Sequence, residues 1–579
     1  MRNLLPYFRG QRLKCVLAPL FKMLEATLEL IVPLIVADII DNGIASGDKN
    51  YIISRCLQLI VLGFAGLVFS VTAQYFSARA AVSFVKNLKH AIYKKIQYLS
   101  FSQFDKNGTS TLITRLTSDM DSVQNGVNLT LRLLLRSPFV VFGACIMAFR
   151  VDTHSSVSFA AAVPLMSVII FGLMMLTIPL NKKIREALDG ALLTTRESIT
   201  GARVLRAFGR ERDAVSEFED KNTYLTLLQE KTGRLSALLN PLTCLTVNSA
   251  VALLIWLGAQ RVNAGFITCG AVVALYNYMS QILVELIKLA NLIVTLTKSI
   301  ACAGRISSLL GIEDEEIPES GKTCVSDDYI VFDNVSFTYP GASEPSLENI
   351  SFTVGKGERI GIIGSTGAGK TTLVNLLAGF YRPTSGDIFI NGKSVSSYGR
   401  EELSSIISYA EQKAVIFKGT VRSNLLFGNP QATDSELTDA LKAAQAYEFV
   451  SEKPGGLDCI TEQRGRNFSG GQRQRLSVAR ALAAKSDILI LDDTSSALDY
   501  LTDLNMRRAV SELDYRAVFT VSQRTGSIMD CDRIILLENG RASAGTHSQL
   551  LESSDVYREI HYSQFEEDDP LYAKGGLPV

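Results

Sequence analysis

Eight consecutive residues, Gly364-Ser365-Thr366-Gly367-Ala368-Gly369-Lys370-Thr371, carry the most specific chemistry in this 579-residue chain. They match the phosphate-binding pattern G-x-x-x-x-G-K-[ST], in which glycines let backbone N–H groups turn inward around phosphate oxygens. Lys370 would neutralise β/γ-phosphate charge, and Thr371 offers a hydroxyl to Mg²⁺. The pattern needs a strand before it and a helix after it. Arg359 to Ile363 reads as a buried strand and Thr372 to Leu377 as a helix, whose N-terminus adds a favourable dipole. Downstream, Ile488-Leu489-Ile490-Leu491-Asp492 is an apolar strand ending in a carboxylate, which suits a Mg²⁺ partner held through water. A buried strand with an acidic end is common, so Asp492 gains meaning only beside the phosphate loop.

Between these segments lies Asn467-Phe468-Ser469-Gly470-Gly471-Gln472-Arg473-Gln474-Arg475-Leu476. It resembles the Leu-Ser-Gly-Gly-Gln signature of ABC ATPases, with Phe468 replacing Leu and Ser469, Gly470, Gly471 and Gln472 intact. Other landmarks of that family follow in order. Tyr339 matches the aromatic that stacks on adenine, Gln412 the loop glutamine that joins Mg²⁺ to the membrane domain, and Ser496-Ala497-Leu498-Asp499 the segment that crosses the dimer interface. The resemblance covers almost the whole chain. It implies ATP and Mg²⁺ as ligands, the metal being met by Thr371, Gln412 and Asp492. It also implies that two nucleotide-binding domains close head to tail, each ATP lying between one phosphate loop and the other chain's signature. Ser469, Gly470 and Gly471 would open a helix whose N-terminus can face a γ-phosphate. A lone domain would then hold only half of each site.

Two positions depart from the family pattern. Asp493 stands where the catalytic glutamate belongs, shorter by one methylene, roughly 1.5 Å; a misplacement of about 1 Å can cost on the order of 10²-fold in rate. Gln523 takes the switch-histidine position, and an amide can hydrogen-bond but cannot carry a proton. The four histidines are His90, His154, His547 and His561, none near Gln523 in sequence. Neutral drift in an active homodimer is one explanation. The other is the degenerate-site half of a heterodimeric ABC exporter, whose intact signature completes the partner's catalytic site; two coordinated losses favour it.

The elements that position these groups split the chain in two. Hydrophobic residues make up 47% of the sequence, the formal net charge is zero, and mean hydropathy is +0.18, so nucleic-acid binding is not expected. Six apolar runs fill the first half: Val16 to Ile40, Ile52 to Tyr75, Leu131 to Phe149, Val157 to Leu180, Leu239 to Leu257 and Val272 to Thr297. The third is weakened by Arg132 and Arg136 at its start. Basic residues cluster after the second and fourth runs, while the connections Asn42 to Asn50, Arg150 to Ser156 and Gln260 to Ile267 are poorer in them. Both termini are therefore expected on the cytoplasmic side. The basic connections read as helical extensions, each ending in a coupling helix by resemblance, near Gly108 to Asp121 and Ser198 to Glu211; a plain amphipathic surface helix is the alternative. Met1 to Gln11 suits an interfacial helix. Nine cysteines are scattered without CxxC spacing, which suggests neither a zinc site nor a disulfide framework.

Charges inside the spans come in pairs, Lys22 with Glu25 and Glu29, and Glu285 with Lys288. They could line a cavity for cationic substrates, but mutual neutralisation is the favoured reading. The expected fold is an α-helical six-span transmembrane domain (1–310), a linker (311–322), an α/β ABC-type P-loop nucleotide-binding domain (323–565) and a disordered tail (566–579). The expected function is one half of an ATP-driven exporter in a bacterial plasma membrane, with three expected partners: the lipid bilayer, a second ABC half-transporter and a small hydrophobic or amphipathic substrate. Multidrug-type efflux is the first reading, from resemblance. A lipid or peptide exporter of the same build, or an ATP-gated channel or sensor that does not pump, are the alternatives.

Overall fold

The structure, a computed structural model, describes residues 2–313, 323–324 and 326–565. Of the expected linker, 314–322 lies outside the described residues, as does the expected tail 566–579. The chain divides into two compact units, Met1–Gln97 with Thr109–Ile312, and Tyr98–Gly108 with Glu313–Val579.

The first unit is helical: α1 (Arg12–Asp38), α2 (Lys49–Gln97), then, after α3 (Phe101–Asn107) of the second unit, α4 (Thr109–Leu116), α5 (Ser118–Leu133), α6 (Arg136–Val151), α7 (Val157–Thr200), α8 (Ala202–Ala207), α9 (Glu211–Ala237), α10 (Leu239–Asn263) and α11 (Cys269–Leu310). Five stretches are long and apolar enough to cross a membrane, namely α2, α4 to α6, α7, α9 to α10, and α11. The sixth expected span, α1, has 27 residues, roughly 40 Å of helix and enough for a hydrocarbon core of about 30 Å. Lys22, Glu25 and Glu29 give it three charges within eight residues. Its buried face packs with α6, α7, α10 and α11 around Leu30, Val140, Phe159, Met166, Leu254 and Met279. Tyr278 is fully buried there and donates its hydroxyl proton to the Leu30 carbonyl at 2.7 Å. On α2, by contrast, Leu57, Ile60, Phe64 and Leu67 are exposed, an outward apolar stripe that lipid rather than water would solvate.

The second unit contains, among the described residues, β1 (Ile330–Phe337), β2 (Leu347–Val354), β3 (Glu358–Gly364), β4 (Ser385–Ile390), β5 (Lys393–Ser394), β6 (Ile407–Ala410), β7 (Gly419–Thr420), β8 (Ile460–Thr461), β9 (Ile488–Asp492), β10 (Ala517–Val521), β11 (Arg533–Glu538) and β12 (Arg541–Gly545). The main sheet has the order β12-β11-β3-β10-β9-β6, parallel except for β12 at one edge. Its central strands are buried on both faces, which is why Ile360–Ile363 and Ile488–Leu491 read as unbroken apolar runs rather than alternating ones. A second, antiparallel sheet has the order β2-β1-β4-β5.

Residues 98–108, which the sequence assigned to the membrane half, group with this unit. Ser100 caps α3 by accepting from the Gln103 N–H at 3.3 Å, Phe101 stacks on Phe380 with centroids 4.6 Å apart, and Arg400 donates to the Leu99 carbonyl at 3.0 Å. The expected coupling range Gly108 to Asp121 instead holds α4 and the start of α5, which belong to the first unit. Stacking on Phe380 needs an aromatic ring, and Phe101 offers one where the Ser/Thr-rich 109–117 does not. The second range, Ser198 to Glu211, contains α8.

Candidate functional site

The phosphate loop joins β3 to the helix Lys370–Leu377, with Gly369 as the residue before the helix at φ +98°, a backbone region that side chains disfavour. Gly364 cannot be replaced for a different reason: a Cβ there would lie 2.2 Å from the Leu537 carbonyl oxygen of the neighbouring strand β11. The Lys370 ammonium folds back over the loop and donates to the Gly364 and Ser365 carbonyls, both at 2.8 Å. Beside it, the Thr371 hydroxyl donates to Asp492 Oδ1 at 3.2 Å, and Asp492 Oδ2 accepts from the Tyr409 hydroxyl at 2.9 Å.

These groups open onto one cleft of about 290 Å³ lined by Tyr339, Thr366, Gly367, Gly369, Lys370, Thr371, Thr372, Gln412, Asp492, Asp493 and Gln523, with Ser346 and Val521. Tyr339 is held by a 3.2 Å hydrogen bond between its hydroxyl and Thr372, and its ring meets Tyr381 edge-on at 5.4 Å. Asp493 is buried and adopts a left-handed backbone (φ 47°, ψ 37°), which aspartate tolerates better than most residues. Its N–H donates to the Val521 carbonyl at 3.0 Å, and its Oδ2 accepts from Gln412 Nε2 at 3.1 Å.

Burial raises the pKa of the Asp493 carboxyl above the ordinary value, with the Gln412 hydrogen bond and the Lys370 charge opposing it. Asp492 is raised for the same first reason, against the hydrogen bonds from Tyr409 and Thr371. Burial lowers Lys370, with the two carboxylates pulling it back. The cleft thus holds a buried cation against two costly buried anions. The donor set fits Mg²⁺: a hydroxyl, an amide and one or two carboxylates are hard oxygen donors that leave room for water and phosphate oxygens. It fits a polyphosphate too, because the glycine backbone at 367 has open space before it and Lys370 is at hand.

The signature residues are placed elsewhere in the same unit. Ser469 caps the helix Gly470–Ala483 by accepting from the Gln472 N–H at 3.3 Å, while the Gln472 side chain accepts from the Ser469 N–H at 3.0 Å. Phe468 is buried, with the Lys453 ammonium 4.8 Å above its ring, so the larger residue is absorbed by the core. Among the described residues that line the cleft, none belongs to 469–472.

The family profile of the ABC transporter transmembrane region matches residues 15–286, and that of the ABC transporter nucleotide-binding part, described as "ABC transporter", matches 347–496. An uncharacterised ABC transporter ATP-binding protein of Bacillus subtilis, YfiB, is 32% identical over 569 residues, covering 98% of this chain and 99% of the relative. The chain belongs to the ABC transporter family. An ATP-dependent lipid A-core flippase of Desulfotalea psychrophila is 30% identical over 534 residues, covering 92% and 93% of the two chains. In fold, this transporter is similar to the solved structure of a bacterial Atm1-family ABC exporter with ATP bound, with TM-score 0.78, 23% identity, and 97% and 99% of the two chains covered. It is an ABC exporter in build, a helical transmembrane domain followed by an α/β nucleotide-binding domain, and its relatives include bacterial membrane proteins.

Two residues of this transporter escaped sequence reasoning. Tyr409 lies on β6, paired in parallel with β9 so that Tyr409 stands opposite Ile490, and only that register brings its hydroxyl to Asp492. The available signal was a tyrosine in a short buried strand, three residues before Gln412. The other is Arg136, noted above only as a weakness of the third span. It begins α6 just after the break at Leu134 and Leu135, and it is buried between Glu285 (2.5 Å) and Glu29 (2.6 Å). Glu285 also accepts from Ser137 at 2.8 Å and from Lys288 at 2.9 Å, and Lys22 pairs with Glu25 at 2.6 Å. The membrane charges therefore neutralise one another across α1, α6 and α11.

Proposed function

We propose that this chain is one half of an ATP-driven exporter that pairs with a second half-transporter, holds ATP and Mg²⁺ in its own cleft, and hydrolyses ATP mainly at the partner's site. The carrying observation is the cleft itself: binding groups are assembled, whereas the two positions that would activate water are Asp493 and Gln523. Tyr339 would stack on the base, Lys370, Thr372 and the loop amides of 364–369 would hold phosphates, and Thr371, Gln412 and Asp492 would surround the phosphate-bound cation. Mg²⁺ there would neutralise phosphate charge. Asp493 supplies a carboxylate already engaged by Gln412 and short of the reach of a glutamate. Gln523 can orient a polar group but cannot exchange a proton with it.

The separation of 469–472 from the cleft supports a two-chain site, since a capped helix N-terminus with free donors suits an anion brought by another chain. The experiment is ATP turnover by the purified chain alone and after co-expression with candidate half-transporters. Slow turnover alone and fast turnover in the complex are expected; brisk turnover by the lone chain would overturn the pairing.

For the exported compound, multidrug-type efflux of amphipathic molecules from the bacterial plasma membrane remains our first reading, with both termini on the cytoplasmic side. A lipid-like amphiphile is the second, favoured by the similarity to lipid A-core flippases. Flipping of fluorescent lipid against uptake of dye in proteoliposomes separates them.

A further inference from the structure

The switch position sits on a segment tied down from the far end of the chain. Gln523 follows β10, and its backbone carbonyl accepts from Gln564 Nε2 at 2.8 Å. The same amide's Oε1 accepts from the Thr525 N–H at 2.9 Å and from its hydroxyl at 3.2 Å. Gln564 thus bridges both sides of Arg524 like a staple. Beneath it, His561 of the C-terminal helix Asp555–Tyr562 is fully buried with Nδ1 3.1 Å from Thr525 Oγ1. His561 packs edge-on against His547 at 5.1 Å, and His547 Nδ1 hydrogen-bonds the Tyr557 hydroxyl at 2.7 Å. Tyr557 belongs to a small core with Ile528, just past the switch segment, and Ile363, the residue before the phosphate loop.

We propose that the C-terminal helix is a clamp on the switch segment, with Gln564 and His561 as positioning residues that set where Gln523 stands in the nucleotide cleft. The proposal rests on the reading of that cleft as an ATP site. Three features separate a clamp from plain packing. Gln564 is exposed, so its side chain buries little area and its role is in its hydrogen bonds. All three bonds go to residues 523 and 525, on either side of one arginine. His561, moreover, places a polar ring atom in a core where an aliphatic side chain would pack without it, which is explained if Thr525 needs a directional partner. Residues 522–527 are in a bend and a short 3₁₀ turn whose one ladder bond runs from the Ser522 N–H to Ile362; the Ser522 hydroxyl meets Ser495 at 3.3 Å and the Ser527 hydroxyl donates to Asp503 at 3.0 Å, and Gln564 is what reaches the Gln523 backbone between them.

The test uses the full chain in detergent, with Gln564→Ala and Gln564→Glu. Glutamate keeps the acceptor for Thr525 and removes the donor to Gln523. Hydrogen exchange of a peptide spanning residues 521–528 and release of a non-hydrolysable fluorescent ATP analogue are measured together, with melting temperature as a control. We expect exchange in 522–527 to rise at least about tenfold in Gln564→Ala, which loses all three bonds and so at least the net worth of one well-made hydrogen bond. Release should quicken severalfold at unchanged melting temperature, and Gln564→Glu should fall between. Unchanged exchange, or raised exchange with unchanged release, overturns the clamp. If the wild-type chain fails to retain the analogue, the ATP reading falls, and exchange alone then decides whether the helix holds the segment.

Discussion

Gln412 Nε2 donates to Asp493 Oδ2 at 3.1 Å, so the glutamine of the cleft and the residue that we propose stands at the base position are bonded to each other. A carboxylate occupied in this way, on a left-handed backbone, is poorly placed to take a proton from water. Lengthening it has a cost as well, because glutamate adopts that backbone less readily than aspartate, by on the order of 1 kcal/mol. Asp493→Glu with Gln523→His should therefore restore part of the turnover at this site, accompanied by a lower melting temperature. The measurement is ATP turnover in a complex whose partner base has been replaced by glutamine. No gain would place the block in the partner's signature or in closure of the two domains.

Lys370→Ala should abolish nucleotide binding by the isolated chain, whereas Asp493→Asn should leave it within a few-fold of wild type. Lys370 is the one cation lining the cleft among the described residues, while asparagine keeps the left-handed backbone and Gln412 can still find an oxygen. Titration with a fluorescent ATP analogue reads both, and equal losses would contradict the division of roles.

Ser469→Ala removes the oxygen that caps the helix Gly470–Ala483, at a cost of about 1 kcal/mol. Binding of ATP by the isolated chain should survive, because 469–472 does not line its cleft. Turnover by the complex should fall far more than this stability loss explains. If Ser469→Ala and Asp493→Asn slow the complex equally, the head-to-tail arrangement is wrong.

In the membrane domain, Arg136→Leu leaves the buried Glu285 without its closest cation, and removing one partner of a buried pair costs about 3–5 kcal/mol. Arg136→Leu with Glu285→Leu should recover most of that, since Lys288 is half-exposed and can be solvated. Thermal unfolding in detergent compares the two. Failure of the double variant to recover would mean that Glu29 depends on the arginine, or Ser137 and Lys288 on Glu285, independently of the pair.

His547 gives the nucleotide-binding domain a pH dependence of known sign. Burial holds its pKa below the ordinary 6.5, the nearby His561 adds to this and Asp530 opposes it, with Tyr557 against its Nδ1. As pH falls through about 6.5, the unfolded chain takes up a proton that the folded one refuses, so this contribution is full above that value and declines below it until the folded histidine titrates. Melting temperature should drop between about pH 7 and 5.5, and His547→Gln should flatten the slope. An unchanged slope would assign the titration to other groups.

How much of this was legible in the sequence depended on how local each feature is. The phosphate loop, the helix opening at Ser469, Gly470 and Gly471, and the strand ending in Asp492 are defined within a few neighbours, and these elements appear where the sequence pattern put them. Tyr409 to Asp492 and Arg136 to Glu285 span 83 and 149 residues, and nothing in either neighbourhood encodes the partner. The pairs Lys22 with Glu25 and Glu285 with Lys288 were legible because they lie three residues apart on one helix. The left-handed backbone of Asp493 was not. It follows from a turn that must leave β9 and at once return its N–H to Val521 on β10.

The parallel register of β3, β10 and β9 works as a ruler for the chemistry at their ends. Val521 stands opposite Ile362 on one side and Asp492 on the other, and adjacent strands are about 4.8 Å apart. The lateral distance from phosphate loop to acidic residue is therefore fixed by strand spacing, with the switch segment emerging midway. A single inserted residue in β10 would carry Gln523 along by about 3.3 Å and turn it to the opposite face, with every neighbouring group left where it was. Side chains at this edge, those at 493 and 523 included, can be exchanged one at a time, but the interval between them cannot readily change.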